Sequence, residues 1–397
     1  MNYKIIAIVG VFVMSTINAV QLPKSTGQFL VGTTTYHWID TKRKETLGDH
    51  PNRELMVQVW YPAQTTGKKS DYMSPTLRAY IARNADYPYS LFEFGYTTKQ
   101  VLTNSFEDVP VSDAKSHYPV VIFSHGFGAP RYLYTSLLED LASRGYIVVA
   151  PSHTYASDPV EFPDGRITQA ADVFRKNTGA FKRNEETRAE AIALSKVWIG
   201  DIQFVADMLE QINHQDSKGL LTGKLDMQHL GLFGHSFGGF VTEQLCRMDK
   251  RFKAGVDIDG DLIGYELEQG FDTPFMCVYV AAGMPSKEEL ARMGMTEETF
   301  RSIVGGMENK IKTLCNAIPN DTYQVKCKTA HHMTFSDYFL INPFGSPEEQ
   351  GKVIDPQRGV AMTRALLGDF FDRYLKGQTS VDLLDNASQN IEIVIKA

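Results

Sequence analysis

The chain has 397 residues, of which 43% are apolar and 22% charged, a composition typical of a globular protein with a sizeable core. A net charge of −7 and a pI near 5.8, with no basic stripe, exclude proteins that bind nucleic acid through its phosphates. Because large α/β folds often fill this length as one unit, we expect a single domain over 20–397, with insertions at about 66–115 and 156–183.

The first 19 residues are typical of a secretory signal peptide. Lys4 supplies a positive start, and residues 5–13 form an apolar core that is too short to span a bilayer. Ala19 is a small residue at a suitable cleavage point. We therefore predict a secreted or periplasmic protein.

Four cysteines would then lie in an oxidising compartment, where a disulfide is permitted. Cys315 ends a helical pattern and Cys327 lies in the next predicted strand, so this is the pair that we expect to bridge. Cys246 and Cys277 are expected to be core thiols, although sequence does not determine connectivity.

The chain opens with strands and an aromatic-rich stretch. Alternating apolar residues in 27–62 predict two antiparallel edge strands. Residues 66–115 then break the regularity. Their aromatic side chains include Tyr72, Tyr80, Tyr87, Tyr89, Phe92, Phe94 and Tyr96. We expect this stretch to pack on the body of the fold; the alternative is a lid or a patch that contacts membrane or lipid aggregates.

From residue 119 onward, predicted strands alternate with predicted helices. Apolar runs predict buried strands at 119–126, 146–153, 252–259, 274–281 and 322–330. Helical spacing predicts helices over about 185–214, 286–317 and 360–376. This alternation predicts an α/β fold with a mostly parallel sheet, helices on both faces and its chemistry at the carboxyl ends of the strands.

A G-x-S-x-G motif lies where a strand pattern meets a helix pattern. The apolar run 230–233 leads into Gly234-His235-Ser236-Phe237-Gly238, and an amphipathic segment follows. This order is typical of the sharp turn that holds a nucleophilic serine above a sheet edge. Ser236 is therefore the candidate nucleophile; the alternative is a glycine-rich turn with an idle serine.

A serine nucleophile needs a base and an acid, which in this fold follow it in the order acid, then histidine. Asp257, Asp259 and Asp261 share one strand face by parity, and Asp259 is the candidate because it stands at the carboxyl end of the strand. Asp257 is expected to be structural. His331 and His332 follow the last core strand, and the residues alone leave both open.

An oxyanion hole requires two backbone amides directed at one point. One candidate is the amide of Phe237, and the other is that of Phe127, in the glycine-containing loop 124–128. His125 is expected to brace this loop. The ten histidines show no metal-ligand spacing, so no metal or cofactor is predicted.

Several separated motifs resemble the plasma-type (isoform II) platelet-activating factor acetylhydrolases, a family of α/β-hydrolases. They are FSHGFGAPRYLYTSLLEDLASRGYIVVAPSH, the helix start NEETR, GLFGHSFGG, DKRFKAGVDIDG and HMTFSDY, and together they cover most of 105–340. The resemblance implies Ser236 as nucleophile, Asp259 as acid and His332 as base, with the amides of Phe127 and Phe237 as the oxyanion hole.

The resemblance also implies a metal-independent serine esterase that removes short or oxidised sn-2 acyl groups from phospholipids. Two alternatives stay open. One keeps the same three residues in a general short-chain esterase, a polyester hydrolase or a dienelactone-type hydrolase. The other is a non-catalytic homologue that binds a lipid or a partner protein.

Overall fold

The computed structural model describes residues 19–84, 100–156, 159–171, 185–263, 267–281, 283–292, 294–342, 353–379 and 391–395. Residues 1–18 of the predicted signal peptide lie outside this part of the chain. None of the helices in the described ranges is long and apolar enough to span a bilayer.

A twelve-stranded sheet forms the centre of the described part of the fold. The strands are β1 (Val20–Gln21), β2 (Leu30–Lys44), β3 (Asn52–Ala63), β4 (Lys69–Asp71), β5 (Val101–Glu107), β6 (Tyr118–Ser124), β7 (Ile147–Pro151), β8 (Val160–Glu161), β9 (Ile167–Thr168), β10 (Leu225–His235), β11 (Phe252–Ile258), β12 (Phe275–Val280), β13 (Thr322–Cys327) and β14 (Ile391–Ile395). The hairpin β8–β9 is separate from this sheet.

The strands run in the order β1-β5-β2-β3-β7-β6-β10-β11-β12-β13-β14, with β4 paired to β5. The six strands from β7 to β13 in this order are parallel, whereas β2, β3 and β14 pair antiparallel at the flanks. Central strands such as β6 are buried along their whole length because helices cover both faces. The predicted α/β fold with a mostly parallel sheet is confirmed.

Helices pack against both faces of the sheet. They are α1 (Pro75–Arg83), α2 (Thr135–Ser143), α3 (Glu185–His214), α4 (Phe237–Met248), α5 (Lys287–Arg292), α6 (Glu297–Ala317), α7 (Tyr338–Ile341) and α8 (Pro356–Lys376), with short 3-10 helices at Arg131–Tyr134, Leu267–Gln269 and His332–Phe335. One face packs against α2 and α8, and the other against α3, α4 and α6.

Two helix predictions differ from the structure, one in the number of helices and the other in its starting residue. The region 286–317 contains two helices, because Gly294 has a φ of +65° and Thr296 caps a new helix by accepting from Thr299 N at 3.1 Å. The last helix begins at Pro356, four residues earlier than predicted. Its N-cap is Asp355, and a proline is well suited to the first helical turn.

The aromatic stretch 66–115 contains more regular structure than predicted. In its described part, β5 lies between β1 and β2 in the main sheet, and α1 packs on the core. Tyr72 is buried and Tyr80 is half-buried against the same core. The five other aromatic residues named for this stretch, from Tyr87 to Tyr96, lie outside the described residues. The domain boundaries stay a prediction.

The expected bridge between Cys315 and Cys327 is wrong. All four cysteines are free and buried. Cys315 belongs to the core on one face of the sheet and Cys327 to the core on the other, so the sheet itself separates the two sulfurs. The thiol of Cys277 instead forms a hydrogen bond with that of Cys315 on the shared face.

Candidate active site

Ser236 stands between the end of β10 and the first residue of α4. Its φ of 56° and ψ of −122° are unusual for a residue with a side chain, and its amide donates to the carbonyl of Ile258 at 2.8 Å. The side chain is half-buried. The strained turn predicted for G-x-S-x-G is therefore present, at the carboxyl edge of the sheet.

The glycines beside Ser236 permit two close backbone approaches. A Cβ at Gly234 would meet the backbone of Gly238, and a Cβ at Gly238 would meet the backbone of Ser124. The backbones of β10, α4 and the loop after β6 therefore meet here without side chains between them.

Asp259 is the carboxylate that the structure brings to a histidine. Its Oδ2 lies 2.7 Å from Nδ1 of His332, and its Oδ1 accepts from the amide of Val280 at 2.9 Å. Burial by itself would raise the pKa of Asp259, but the hydrogen bond and charge of His332 outweigh it and hold the pKa below its ordinary value. Asp259 is thus kept ionised.

Asp257 has a different environment, although it lies only two residues away. It is buried beneath the turn, where its Oδ1 accepts from the amide of Gly260 at 2.9 Å. Burial raises the pKa of Asp257 well above its ordinary value, and the nearby Asp259 charge raises it further. A protonated carboxyl at this position fits a structural role.

The structure separates the two candidate histidines. His331 caps the 3-10 helix His332–Phe335, accepting from the amide of Met333 at 3.1 Å, and its ring packs against Phe339. His332 faces Asp259 instead. Its ring centroid lies 4.4 Å from that of His235, the residue directly before Ser236.

The loop after β6 reaches the serine turn. A Cβ at Gly126 would lie 3.4 Å from Cβ of Ser236, and the rings of Phe127 and Phe237 are in edge contact at 6.1 Å between centroids. Phe237 is the first residue of α4, where a backbone amide has no partner within its own helix. The two predicted oxyanion residues therefore flank the serine turn.

A chain of hydrogen bonds, not anticipated from sequence, joins this loop to the histidine segment. The amide of Gly126 donates to the Tyr134 hydroxyl at 3.3 Å, and Tyr134 Oη lies 2.8 Å from Nδ1 of His235. Nε2 of His235 lies 2.9 Å from the carbonyl of His332, so Nε2 carries the proton and Nδ1 accepts from Tyr134. Burial lowers the pKa of His235 to about 3, which keeps its ring neutral.

A second Ser-His-Asp constellation lies beneath the same loop. Ser124 Oγ lies 3.1 Å from Nε2 of His153, whose Nδ1 lies 2.9 Å from Oδ2 of Asp201. These three side chains are buried, and Arg53 pairs with Asp201. The amide of His153 also donates to Nε2 of His125, whose Nδ1 hydrogen bonds the carbonyl of Gly126. Substrate cannot reach this constellation, which braces the loop.

Within the described ranges, no group of three or more His, Cys, Asp or Glu side chains is arranged to hold a metal ion. The arrangement around Ser236 contains a hydroxyl, an imidazole hydrogen-bonded to an ionised carboxylate, and backbone amides at a helix start. These are the components of nucleophilic acyl transfer.

Comparisons with known proteins agree with this architecture. A ferulic acid esterase from Streptomyces cinnamoneus superimposes with a TM-score of 0.71 at 25% identity, covering 94% of this chain and 99% of that one. A platelet-activating factor acetylhydrolase from Canis lupus familiaris is 26% identical over 267 residues, or 62% of this chain and 56% of the dog protein.

A probable 1-alkyl-2-acetylglycerophosphocholine esterase from Arthroderma benhamiae is 26% identical over 261 residues, covering 63% of this chain and 61% of the fungal protein. The chain thus spans little more than half the length of these curated relatives. The sequence profile of the family described as platelet-activating factor acetylhydrolase, isoform II, matches residues 14–343.

Sheet order, strained serine turn and covering helices define an α/β-hydrolase. Because the family profile spans most of the chain, the protein belongs to the platelet-activating factor acetylhydrolase isoform II family.

Proposed function

We propose that the protein is a metal-independent serine esterase that hydrolyses short or oxidised sn-2 acyl esters of phospholipids through an acyl-enzyme. The observation that carries this proposal is the 2.7 Å contact between His332 and the ionised Asp259, beside the turn that holds Ser236. A histidine oriented by a carboxylate can act as the general base for a serine hydroxyl.

In the proposed mechanism, Nε2 of His332 takes the proton from Ser236 as Oγ attacks the ester carbonyl. Asp259 holds Nδ1 and stabilises the imidazolium that forms. The amides of Phe127 and Phe237 bind the developing oxyanion. His332 returns its proton to the departing alcohol and then activates water to release the acyl group from Ser236. These steps need no metal.

The proposed substrate class rests on the relatives. Proteins named platelet-activating factor acetylhydrolase and probable 1-alkyl-2-acetylglycerophosphocholine esterase match 62% and 63% of this chain. Both names describe removal of an acetyl group from an ether phospholipid. The proposed base and oxyanion hole act on the ester group itself, so they are compatible with an acetyl ester of a phospholipid.

The test is substitution of the serine. Ser236→Ala should lower kcat on a 2-acetyl phospholipid by about a millionfold and abolish labelling by an organophosphonate. Ser195→Ala is the control, because it removes another buried hydroxyl, on α3, that donates to the carbonyl of Ile192 at 2.8 Å. Unchanged turnover and labelling in Ser236→Ala would refute the proposal and favour the non-catalytic, ligand-binding alternative.

A second candidate is an esterase for soluble hydroxycinnamoyl esters, which the structural likeness to a ferulic acid esterase favours. Values of kcat/KM for a 2-acetyl phospholipid, a long-chain diacyl phospholipid and a soluble hydroxycinnamoyl ester separate the two. Preference for the acetyl phospholipid supports the first proposal, and preference for the soluble ester supports the second.

We also propose that the protein is exported as one domain and meets its lipid substrate peripherally. The signal-like segment 1–19 supports export. N-terminal sequencing of the mature protein should start at Val20, and sedimentation with phosphatidylcholine vesicles should report lipid contact. An intact Met1 on the mature protein would contradict export by cleavage.

A further inference from the structure

A cavity of about 330 Å³ reaches Ser152 at the carboxyl end of β7, the edge of the sheet at which Ser236 also stands. Its walls include the middle of β3 at Met56 and Gln58, Ser152 directly after β7, Leu77 of α1 and Arg131 in the continuation of the loop after β6. The volume falls in the range of small-molecule sites. None of the residues assigned to the ester chemistry lines it.

Arg131 is the unusual member of this wall. Its side chain bonds the hydroxyl of Ser152, yet no carboxylate pairs with it among the described residues, and its buried Nε has no hydrogen-bond partner there. Burial lowers the pKa of Arg131 to about 10, so the guanidinium remains charged at neutral pH. A half-buried cation whose buried Nε has no hydrogen-bond partner among the described residues is suited to a phosphate.

The rest of the wall carries the opposite charge. Asp71, Glu107 and Glu161 line the cavity together with the rings of Tyr72 and Phe162. Carboxylates and aromatic rings are the groups that bind a quaternary ammonium. Glu107 is paired with Lys68 at 2.8 Å, whereas no ion pair engages Asp71 or Glu161 within the described residues. One cation with two such carboxylates suits a zwitterion better than a simple anion.

The position of the cavity also fits the reaction. Arg131 contacts Ser152, which directly follows β7, and β7 and β10 are separated only by β6, so the Arg131 end of the cavity is two strand spacings, about 10 Å, from the serine after β10. In a glycerophospholipid, the phosphate lies a few bonds from the sn-2 carbonyl. A head group in the cavity therefore leaves that carbonyl within reach of Ser236.

We propose that this cavity binds the zwitterionic phosphodiester head group of the substrate, with Arg131 contacting the phosphate and the carboxylate wall contacting the cation. This assignment rests on the proposed phospholipid esterase function and adds a site of specificity to it.

The test compares two 2-acetyl esters, a 1-alkyl-2-acetyl phosphocholine and the matching 1-alkyl-2-acetylglycerol without phosphate. In Arg131→Gln, the ratio of their kcat/KM values should fall by about tenfold to a hundredfold. In Arg131→Lys the same ratio should fall less than in Arg131→Gln, because lysine keeps the positive charge but lacks the planar guanidinium. Using a ratio cancels any general effect on the neighbouring loop.

Arg78→Gln is the matched control. Arg78 lies on α1 near the cavity but does not line it, and within the described residues its guanidinium donates to the carbonyl of Met73, at 3.5 Å. The variant removes the same charge from the same side of the protein, so the ratio should not change. An equal fall in both arginine variants would overturn the proposal.

Glu161→Gln tests the proposed contact between the carboxylate wall and the cationic end of the head group. It should lower kcat/KM for the phosphocholine ester relative to a phosphomethanol ester, which keeps the phosphate and lacks the cation. An unchanged ratio in Glu161→Gln would overturn that half of the assignment. Inhibition by inorganic phosphate that Arg131→Gln removes, with unchanged substrate ratios, would assign the cavity to free phosphate instead.

Binding without catalysis separates this inference from the proposed function. Calorimetry with glycerophosphocholine should show binding to the wild-type protein and loss of binding in Arg131→Gln. If binding follows this pattern while neither acetyl ester is hydrolysed, the head-group site stands and the esterase proposal fails. If both esters are hydrolysed and glycerophosphocholine binds both proteins equally, the head-group site fails alone.

Discussion

Asp257 and Asp259 are close in sequence, yet their protonation states differ. Asp259 has a φ of 53°, so it leaves the strand geometry that ends at Ile258 and reaches His332. Asp257 remains in the strand, buried under the turn, and its raised pKa keeps it protonated. Asp259 is thus an ionised hydrogen-bond partner for His332, whereas Asp257 is a neutral carboxyl that supports the turn.

Tyr134 offers a test of the hydrogen-bond chain between the loop after β6 and the 3-10 helix His332–Phe335. Tyr134→Phe leaves Gly126 N and His235 Nδ1 without their shared partner. We expect kcat on the acetyl ester to fall about tenfold, while KM changes little. The reason is that the loop carrying the Phe127 amide and the segment carrying the proposed base His332 lose their alignment. Steady-state kinetics and the rate of phosphonylation of Ser236 measure this effect.

The control for this variant is Tyr146→Phe. Tyr146 is also buried and its hydroxyl donates to Asp372 at 2.7 Å, but it precedes β7, at the opposite edge of the sheet. We expect a similar loss of thermal stability without the loss of kcat. A matching fall of kcat in both variants would show that Tyr134 acts only through general stability.

At the scale of elements, the strand-to-helix turn depends on helix α4 approaching β6 without side chains between them. A Cβ at Gly238 would meet the backbone of Ser124 and of His125. Backbone atoms cannot rotate away, so the helix or the loop after β6 would have to move.

Gly238→Ala should therefore destabilise the fold by about 1 to 3 kcal/mol and lower esterase activity further than stability alone explains. Gly306→Ala, inside α6, is the matched control, because a Cβ there meets nothing within 4 Å. It should stabilise the protein by about 0.5 to 1 kcal/mol. Urea unfolding of both variants measures the two effects, and a stable, active Gly238→Ala would contradict the close-packing account.

On the scale of the whole molecule, Asp337 joins three distant segments. Its carboxylate accepts hydrogen bonds from the hydroxyl and amide of Ser136 on α2 and from Tyr72 near α1, and its own amide donates to Leu133 O. Burial raises the pKa of Asp337 from 3.8 to about 7, although the Ser136 hydrogen bonds oppose the shift.

This raised pKa predicts a fall in stability with rising pH. The contribution of protonated Asp337 is complete below pH 4 and is lost as pH rises through about 7, because the folded state then no longer binds the extra proton. Between pH 5 and pH 8 the free energy of unfolding should fall by about 2 to 3 kcal/mol through this group. Urea unfolding at both pH values measures it.

Two variants identify the group responsible. Asp337→Asn should lose this part of the pH dependence, whereas Ser136→Ala should extend the fall to higher pH, because it removes a donor that favours the ionised carboxylate. An identical pH dependence in wild type and Asp337→Asn would assign the effect elsewhere.

Local patterns in the sequence were sufficient for the fold class and for Ser236 as a candidate. Buried parallel strands need continuous apolar runs, and a strained turn needs glycines at fixed spacing, so both leave a trace within a few residues. Strand β14, in contrast, escaped prediction, since an edge strand is defined by its pairing with β13, distant in the chain.

Tertiary structure decided the relations between residues that are remote in sequence. The choice between His331 and His332 depends on where Asp259 lies, and the failure of the Cys315–Cys327 bridge depends on which face of the sheet each thiol occupies. The buried Ser124–His153–Asp201 constellation likewise exists only after folding, as does the environment of Arg131, which pairs with no carboxylate in the part of the chain that the structure describes. Short-range periodicity encodes elements, whereas packing alone selects which side chains of different elements meet.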